Sequence, residues 1–155
     1  MLRISKLADY GTVVMVYLAK SPHQLSNARD IALHTHLAVP TVSKLLKRLT
    51  SVGLLISVRG ASGGYRLQRP ATEMSLAEII YALDEHRGLT ECSLHPNECS
   101  LQGVCHVQGN WQLISQAILS ALESVSLATL AKPILSGMDL ERIKTLVKIP
   151  GVSRD

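Results

Sequence analysis

"PTVSKLLKRLTSVGLLISVRGASGGYRL", residues 40–67, carries the signals that decide the fold. Pro40 suits the first turn of a helix, where the N–H it lacks would find no intrahelical partner anyway. Gly53 suits the stop, because a helix often ends on a residue in the left-handed conformation. Wound at about 100° per residue, the segment puts Val42, Leu45, Leu46 and Leu49 on one face. Thr41, Ser43, Lys44, Lys47, Arg48 and Ser51 take the other. Two strand-like runs follow, Leu54–Val58 and Tyr65–Leu67, around a turn holding Gly60, Gly63 and Gly64. That pattern is a β-hairpin.

Upstream, Ile4, Leu7, Ala8 and Gly11 have helical spacing, and Met15 and Leu18 continue the stripe. The spacing predicts a helix over 4–19, ended by Pro22. Ser26 is the expected N-cap of a second helix, "NARDIALHTH", and "LAV" separates it from the third. Helix, short break, helix, then a hairpin is a winged helix-turn-helix. Downstream, Ser75 and Glu78 form a capping box opening "LAEIIYALDE". A long helix is expected from about residue 107 or 110 to about 130. Its stripe of Trp111, Ile114, Ile118, Ala121, Leu122 and Val125 is joined by a second apolar face of Leu113, Ala117, Leu119 and Leu127. A helix apolar on more than one side calls for burial, which in a small protein points to a second subunit. A short helix, "DLERIKTLVK", capped by Asp139, precedes the tail. The expected class is mainly α, a winged helix-turn-helix with a small hairpin wing and a long C-terminal dimerisation helix. Its expected parts are the DNA-binding domain (1–87), a cysteine-rich loop (88–106), the dimerisation helix (107–131) and a short helix and tail (132–155).

Charge is distributed unevenly. No Asp or Glu occurs from Ile31 to Thr72, yet Lys44, Lys47, Arg48, Arg59, Arg66 and Arg69 all do. Such a field attracts a polyanion. The outward face of the third helix offers cations and hydroxyls to phosphates and base edges of duplex DNA. Arg59, beside glycines at the hairpin tip, can approach a backbone or minor groove closely. With aromatics at only 3%, no stacking platform for single-stranded RNA is visible. The chain has no paired acid/base set, nucleophile elbow or phosphate-binding loop, so an enzyme is not expected. The apolar run "VVMVYLA" at 13–19 is far short of the ~20 residues that span a bilayer. No membrane partner and a cytoplasmic location are therefore expected.

All three cysteines, Cys92, Cys99 and Cys105, fall in "ECSLHPNECSLQGVCHVQGNW", residues 91–111. An odd number in a reducing compartment argues against a disulfide framework. Metal, cluster or redox chemistry remain open. The Cys-x6-Cys-x5-Cys spacing lacks the close pairs of structural zinc sites and the common ferredoxin spacings. Three thiolates leave one position of a four-coordinate centre for another ligand. His106, His95, Glu98 and Glu91 are nearby candidates, and Asp9 of the same or a partner chain is a distant one.

The 40–67 stretch, then "SLAEIIYALDE", the three cysteines and the tryptophan together resemble the Rrf-two (Rrf2) family of winged-helix transcriptional regulators, with its IscR-like and NsrR-like branches. The resemblance spans about residues 2–130. "LRISKLADYGTVV", "TEC" at 90–92 and "GNW" at 109–111 look closest to the subgroup regulating the SUF operon for iron–sulfur assembly. It implies a homodimeric, cluster-sensing repressor, with Cys92, Cys99 and Cys105 ligating an iron–sulfur cluster. A two-iron (2Fe-2S) form is preferred over 4Fe-4S. Thr41, Ser43, Lys44, Lys47 and Arg48 would read operator DNA, with Arg59 and Ser62 on the wing. IscR-like members carry a histidine three residues after the last cysteine, where this chain has Gln108. NsrR-like members use a first-helix aspartate, which Asp9 matches. The resemblance thus favours Asp9 as fourth ligand, with His106 as the alternative. Nitric-oxide or redox sensing by the same architecture, or cluster carriage without DNA binding, are the rival expectations.

Overall fold

The computed structural model describes residues 4–84, 90, 104–132 and 145. Helix α1 (Lys6–Ala19) starts behind Ser5, whose Oγ accepts a hydrogen bond from the Ala8 N–H at 3.2 Å. Ile4 therefore lies outside the helix that its spacing suggested.

The expected cap of α2 (Ala28–Thr35) is displaced by one residue. Asn27, not Ser26, accepts from the N–H groups of Arg29 and Asp30, each at 3.0 Å. Ser26 is drawn away because its backbone pairs with the wing: Ser26 N–H donates to the Tyr65 carbonyl at 3.1 Å, and Tyr65 N–H donates back at 2.9 Å. His36 closes α2 in the left-handed region, φ 56°.

Helix α3 (Val39–Ser51) follows at once, with Pro40 in its first turn. It stops as the sequence suggests. Gly53 at φ 77° lets its own N–H reach the Thr50 carbonyl at 3.1 Å and the Leu54 N–H reach Leu49 at 3.0 Å. These two hydrogen bonds satisfy two carbonyls that a helix end leaves open.

Strands β1 (Leu55–Val58) and β2 (Gly64–Leu67) pair antiparallel, Leu55 opposite Leu67 and Val58 opposite Gly64. A 3-10 turn (Ala71–Glu73) leads to α4 (Leu76–Leu83). Only half of the capping box forms. Ser75 Oγ accepts from the Glu78 N–H at 3.2 Å, whereas the Glu78 carboxylate pairs with Arg69 at 3.0 Å. Helix α4 ends at Leu83, with Asp84 extended, so it is shorter than the pattern suggested.

The long C-terminal helix is two pieces. Helix α5 (Gln108–Glu123) ends at Ser124, and α6 (Leu127–Leu130) starts afresh behind Ser126, whose Oγ accepts from the Thr129 N–H at 3.1 Å. The break has a tertiary cause. Residues 125–127 pair with the start of α4: Leu76 N–H donates to the Val125 carbonyl and Leu127 N–H to the Met74 carbonyl, each at 2.8 Å. The helix expected at 139–148 lies, apart from Thr145, outside the described residues.

The core is aliphatic, as a chain without Phe requires. Met15, Ile31, Leu45, Leu46, Leu49, Leu55, Ile79 and Leu127 are among its fully enclosed side chains, joining α1 to every other helix but α5. Gly11 lets α1 and α4 approach closely, since a Cβ there would collide with the Leu83 side chain. Among the described residues no helix is long and apolar enough to cross a membrane.

Candidate DNA-binding face and thiol-bearing segment

The apolar face of α3 is wholly inside, with Val42, Leu45, Leu46 and Leu49 at 0% exposure. That burial fixes the helix's rotation and decides which side chains stand on solvent. Lys44, Lys47 and Ser51 are exposed, while Thr41 and Ser43 are half-buried. Ser51 Oγ donates to the Arg48 carbonyl at 2.8 Å. Arg48 is set differently from the lysines. It is half-buried, and its Nε donates to the Ala82 carbonyl at 2.8 Å.

Arg59 and Ser62 are exposed at the wing tip. Gly60, at φ 121°, makes the turn, and Gly63 N–H donates to the Gly60 carbonyl at 3.0 Å. Gly64 is required for a second reason. A Cβ there would lie 2.9–3.0 Å from the Ser26 backbone, so the bridge between wing and α2 needs a residue without a side chain. That bridge fixes the wing beside the helix pair and holds Arg59 at the edge of the same module as Lys44 and Lys47.

Not every cation in the acid-free window contributes to the field. Arg69 pairs with Glu78 at 3.0 Å and also donates to the Glu73 carbonyl at 3.0 Å. The side chains are 39% and 42% exposed, so the pair adds little stability. Its effect is local neutralisation. Arg66 is half-buried on β2. The exposed cations of this window are thus Lys44, Lys47 and Arg59. An α-helix fits the width of a B-form major groove, and a wing alongside reaches the flanking backbone.

Cys92 and Cys99 lie outside the described residues, as do Glu91, His95 and Glu98. Cys105 is a half-buried free thiol three positions before α5, and its neighbour His106 is exposed. Asp9 is exposed on the first turn of α1. It borders a cleft of about 390 Å³ with Ile4, Lys6, Thr12, Leu76, Ile80 and Leu130. Cys105 is not among the residues lining that cleft. Among the described residues no three metal-ligating side chains gather at one point. The donor chemistry itself fits an iron–sulfur centre: a half-buried thiol three positions before α5, two more within thirteen positions upstream, and an exposed carboxylate on another element.

Helix α5 contributes no buried residue within one chain. Val107, Trp111, Leu113 and Ile114 are exposed, Trp111 at 40% and Ile114 at 45%. Of the apolar positions read in the sequence, Leu122 packs against the core and Val125 and Leu127 are buried just beyond α5, while the side of α5 bearing Trp111 and Ile114 stays open.

Sequence reasoning located α3 and the wing. It missed the Arg48–Ala82 bond and both backbone bridges, at Ser26–Tyr65 and Ser75–Ser126. These are contacts between distant positions whose residue types carry no local signal.

Comparison with known proteins agrees with this geometry. Residues 4–133 match the family model described as "Rrf2: Iron-dependent Transcriptional regulator". The chain is 24% identical over 144 residues to the HTH-type transcriptional regulator NsrR of Shouchella clausii, covering 92% of this chain and 95% of that one. It is 31% identical over 133 residues to the HTH-type transcriptional regulator IscR of Photorhabdus laumondii, covering 83% and 79%. In three dimensions it resembles CymR, the global cysteine regulator of B. subtilis. The TM-score is 0.70 at 28% identity, over 84% of this chain and 97% of that one.

Proposed function

The chain belongs to the Rrf2 family of transcriptional regulators, and from that premise we propose that it is a homodimeric repressor whose grip on operator DNA is set by an iron–sulfur cluster. The same family membership makes it a regulator and not an enzyme. One observation carries the proposal: the exposed Lys44–Lys47 face of α3, flanked by Arg59, belongs to a chain whose only cysteines lie together at 92–105.

Residues 1–87 form the reading unit in this scheme, 88–106 the cluster segment, 107–131 the dimer-forming segment and 132–155 a terminal appendage. Lys44 and Lys47 neutralise phosphates on either side of the groove that α3 enters. Thr41, Ser43 and Ser62 supply hydroxyls to phosphate or base edges, and Arg59 holds the flanking backbone. The open apolar face of α5 meets its counterpart in a second copy. A two-fold pair must place its α3 helices about one DNA turn apart to hold a palindromic site.

Cys92, Cys99 and Cys105 would hold the cluster, with Asp9 of the partner subunit completing the set and His106 as the alternative. A 2Fe-2S centre is preferred to 4Fe-4S. When bound, such a centre supplies a charged link between the thiol segment and its neighbours that oxidants or nitric oxide can remove. Cys105 lies three positions before the first residue of α5, so a restraint there bears on the dimer-forming helix. Two arrangements of one dimer biased by a local charge and packing event make a switch. The regulated genes are inferred to be a SUF-type assembly operon, repressed when clusters are plentiful.

Nitric oxide is a second candidate signal, since the Asp9 match is to the NsrR-like branch and an NsrR regulator is among the relatives. A pure cluster carrier would leave the cationic face of α3 without a use. Iron and sulfide counts on protein isolated without air, together with retention of the promoter upstream of its own gene or of a SUF operon, test the proposal. Iron with matching sulfide and a retained fragment are expected. Zinc instead, or no retention in any state, would overturn it.

A further inference from the structure

Arg48 is on the helix that reads DNA, but its side chain points its Nε–H elsewhere. The bond to the Ala82 carbonyl, 2.8 Å long, crosses 34 positions of sequence. Ala82 lies in the last turn of α4, where carbonyls have no intrahelical donor and the helix dipole presents its negative end. A guanidinium satisfies both conditions at once. The same turn is tightly held from other sides. Leu83 packs against Gly11 of α1, and Asp84 N–H donates to the Ile80 carbonyl at 2.7 Å. Cys92 follows Asp84 by only eight positions.

We propose that Arg48 is a positioning residue that fastens the recognition helix to the C-terminal turn of α4, and is not a phosphate contact. A shift of the thiol-bearing segment then reaches Lys44 and Lys47 through a hydrogen bond and not only through the aliphatic core. The inference rests on the regulatory function proposed above and assigns its route within one subunit. It also separates Arg48 from its two cationic neighbours, with which the helical periodicity groups it.

The test is Arg48→Met, which removes donor and charge while keeping a long apolar side chain. Two quantities are read on whichever single form of the protein retains operator DNA. The first is the slope of log affinity against log salt. The second is hydrogen exchange of backbone amides at 80–84, with and without operator. In the unaltered protein, operator binding is expected to slow exchange at 80–84. In Arg48→Met that slowing is expected to disappear while the salt slope stays unchanged. A slope shallower by about 0.9 per subunit would make Arg48 a phosphate contact and overturn the proposal. So would operator-induced slowing at 80–84 that survives the substitution. If Arg48→Met does not fold, Arg48→Gln replaces it, keeping an amide donor without charge. It is expected to retain part of the slowing at an unchanged slope, and a shallower slope overturns the proposal again. Indifference of the unaltered protein's operator affinity to iron would end the cluster-sensing function alone, because neither readout compares loaded with empty protein.

Discussion

Lys47→Gln isolates the electrostatic part of recognition. Lys47 is exposed on α3, one turn from Lys44, and with Arg59 makes up the three exposed cations of the acid-free window from Ile31 to Thr72. Arg48 and Arg69 are committed to Ala82 and to Glu78 and Glu73. The proposed dimer thus presents six. Each phosphate neutralised on B-form DNA contributes about −0.9 to the slope of log affinity against log salt, so six give about −5.4. Affinity should then fall on the order of 10³-fold between about 50 and 200 mM salt. Lys47→Gln removes two contacts from the dimer and should move the slope to about −3.6. The fold should be unaffected, because the side chain lies outside the core. Fluorescence anisotropy of a labelled operator duplex at four salt concentrations gives both slopes. An unaltered protein with a slope near zero, or a Lys47→Gln slope equal to it, would refute the assignment of phosphates to this face.

Other substitutions test the packing and the proposed ligand set. Leu45 has 0% exposure at the centre of the helix-turn-helix, so Leu45→Ala should cost about 2–5 kcal/mol in denaturant unfolding. A cost below 1 kcal/mol would place that face of α3 outside the core. Gly64→Ala forces a methyl group against the Ser26 backbone, and a loss of about 1–3 kcal/mol with faster exchange at the Tyr65 amide is expected. An unchanged amide would mean that the wing is not held there. Asp9→Ala should shorten the lifetime of the visible absorbance in air without changing stability of the cluster-free protein, since Asp9 is exposed. An unchanged lifetime would return the fourth position to His106.

The parts of the fold that were legible in sequence are those governed by local rules. The four apolar positions of α3 project to one face, and all four are buried. Gly53 stops the helix because only a residue at ease with positive φ completes that cap. The hairpin followed from glycines between two strand-like runs, to within a residue at each strand's start. What misled was competition from distant backbone. Ser26 has the chemistry of an N-cap, but its N–H and carbonyl are taken by Tyr65. Glu78 has the spacing of a capping box, but Arg69 is the better partner for its carboxylate. Residues 107–130 have unbroken helical periodicity, yet pairing with Met74 and Leu76 outbids the helix at 125–127. Helical projection likewise gives no sign of the bond from Arg48 to the Ala82 carbonyl, which arrives from a helix far along the chain. The thiol segment was legible only as chemistry: three cysteines in fourteen positions name a class of ligand without naming its geometry.

The most direct test of the account is one ratio: operator affinity of protein isolated without air, before and after its iron is chelated away. A ratio of at least about tenfold, with the visible absorbance lost in step, is expected of a switch whose two states differ by about 1.4 kcal/mol or more. Equal affinities in the two states, from protein shown to have held iron and sulfide, would contradict the claim that the cluster governs the grip on DNA.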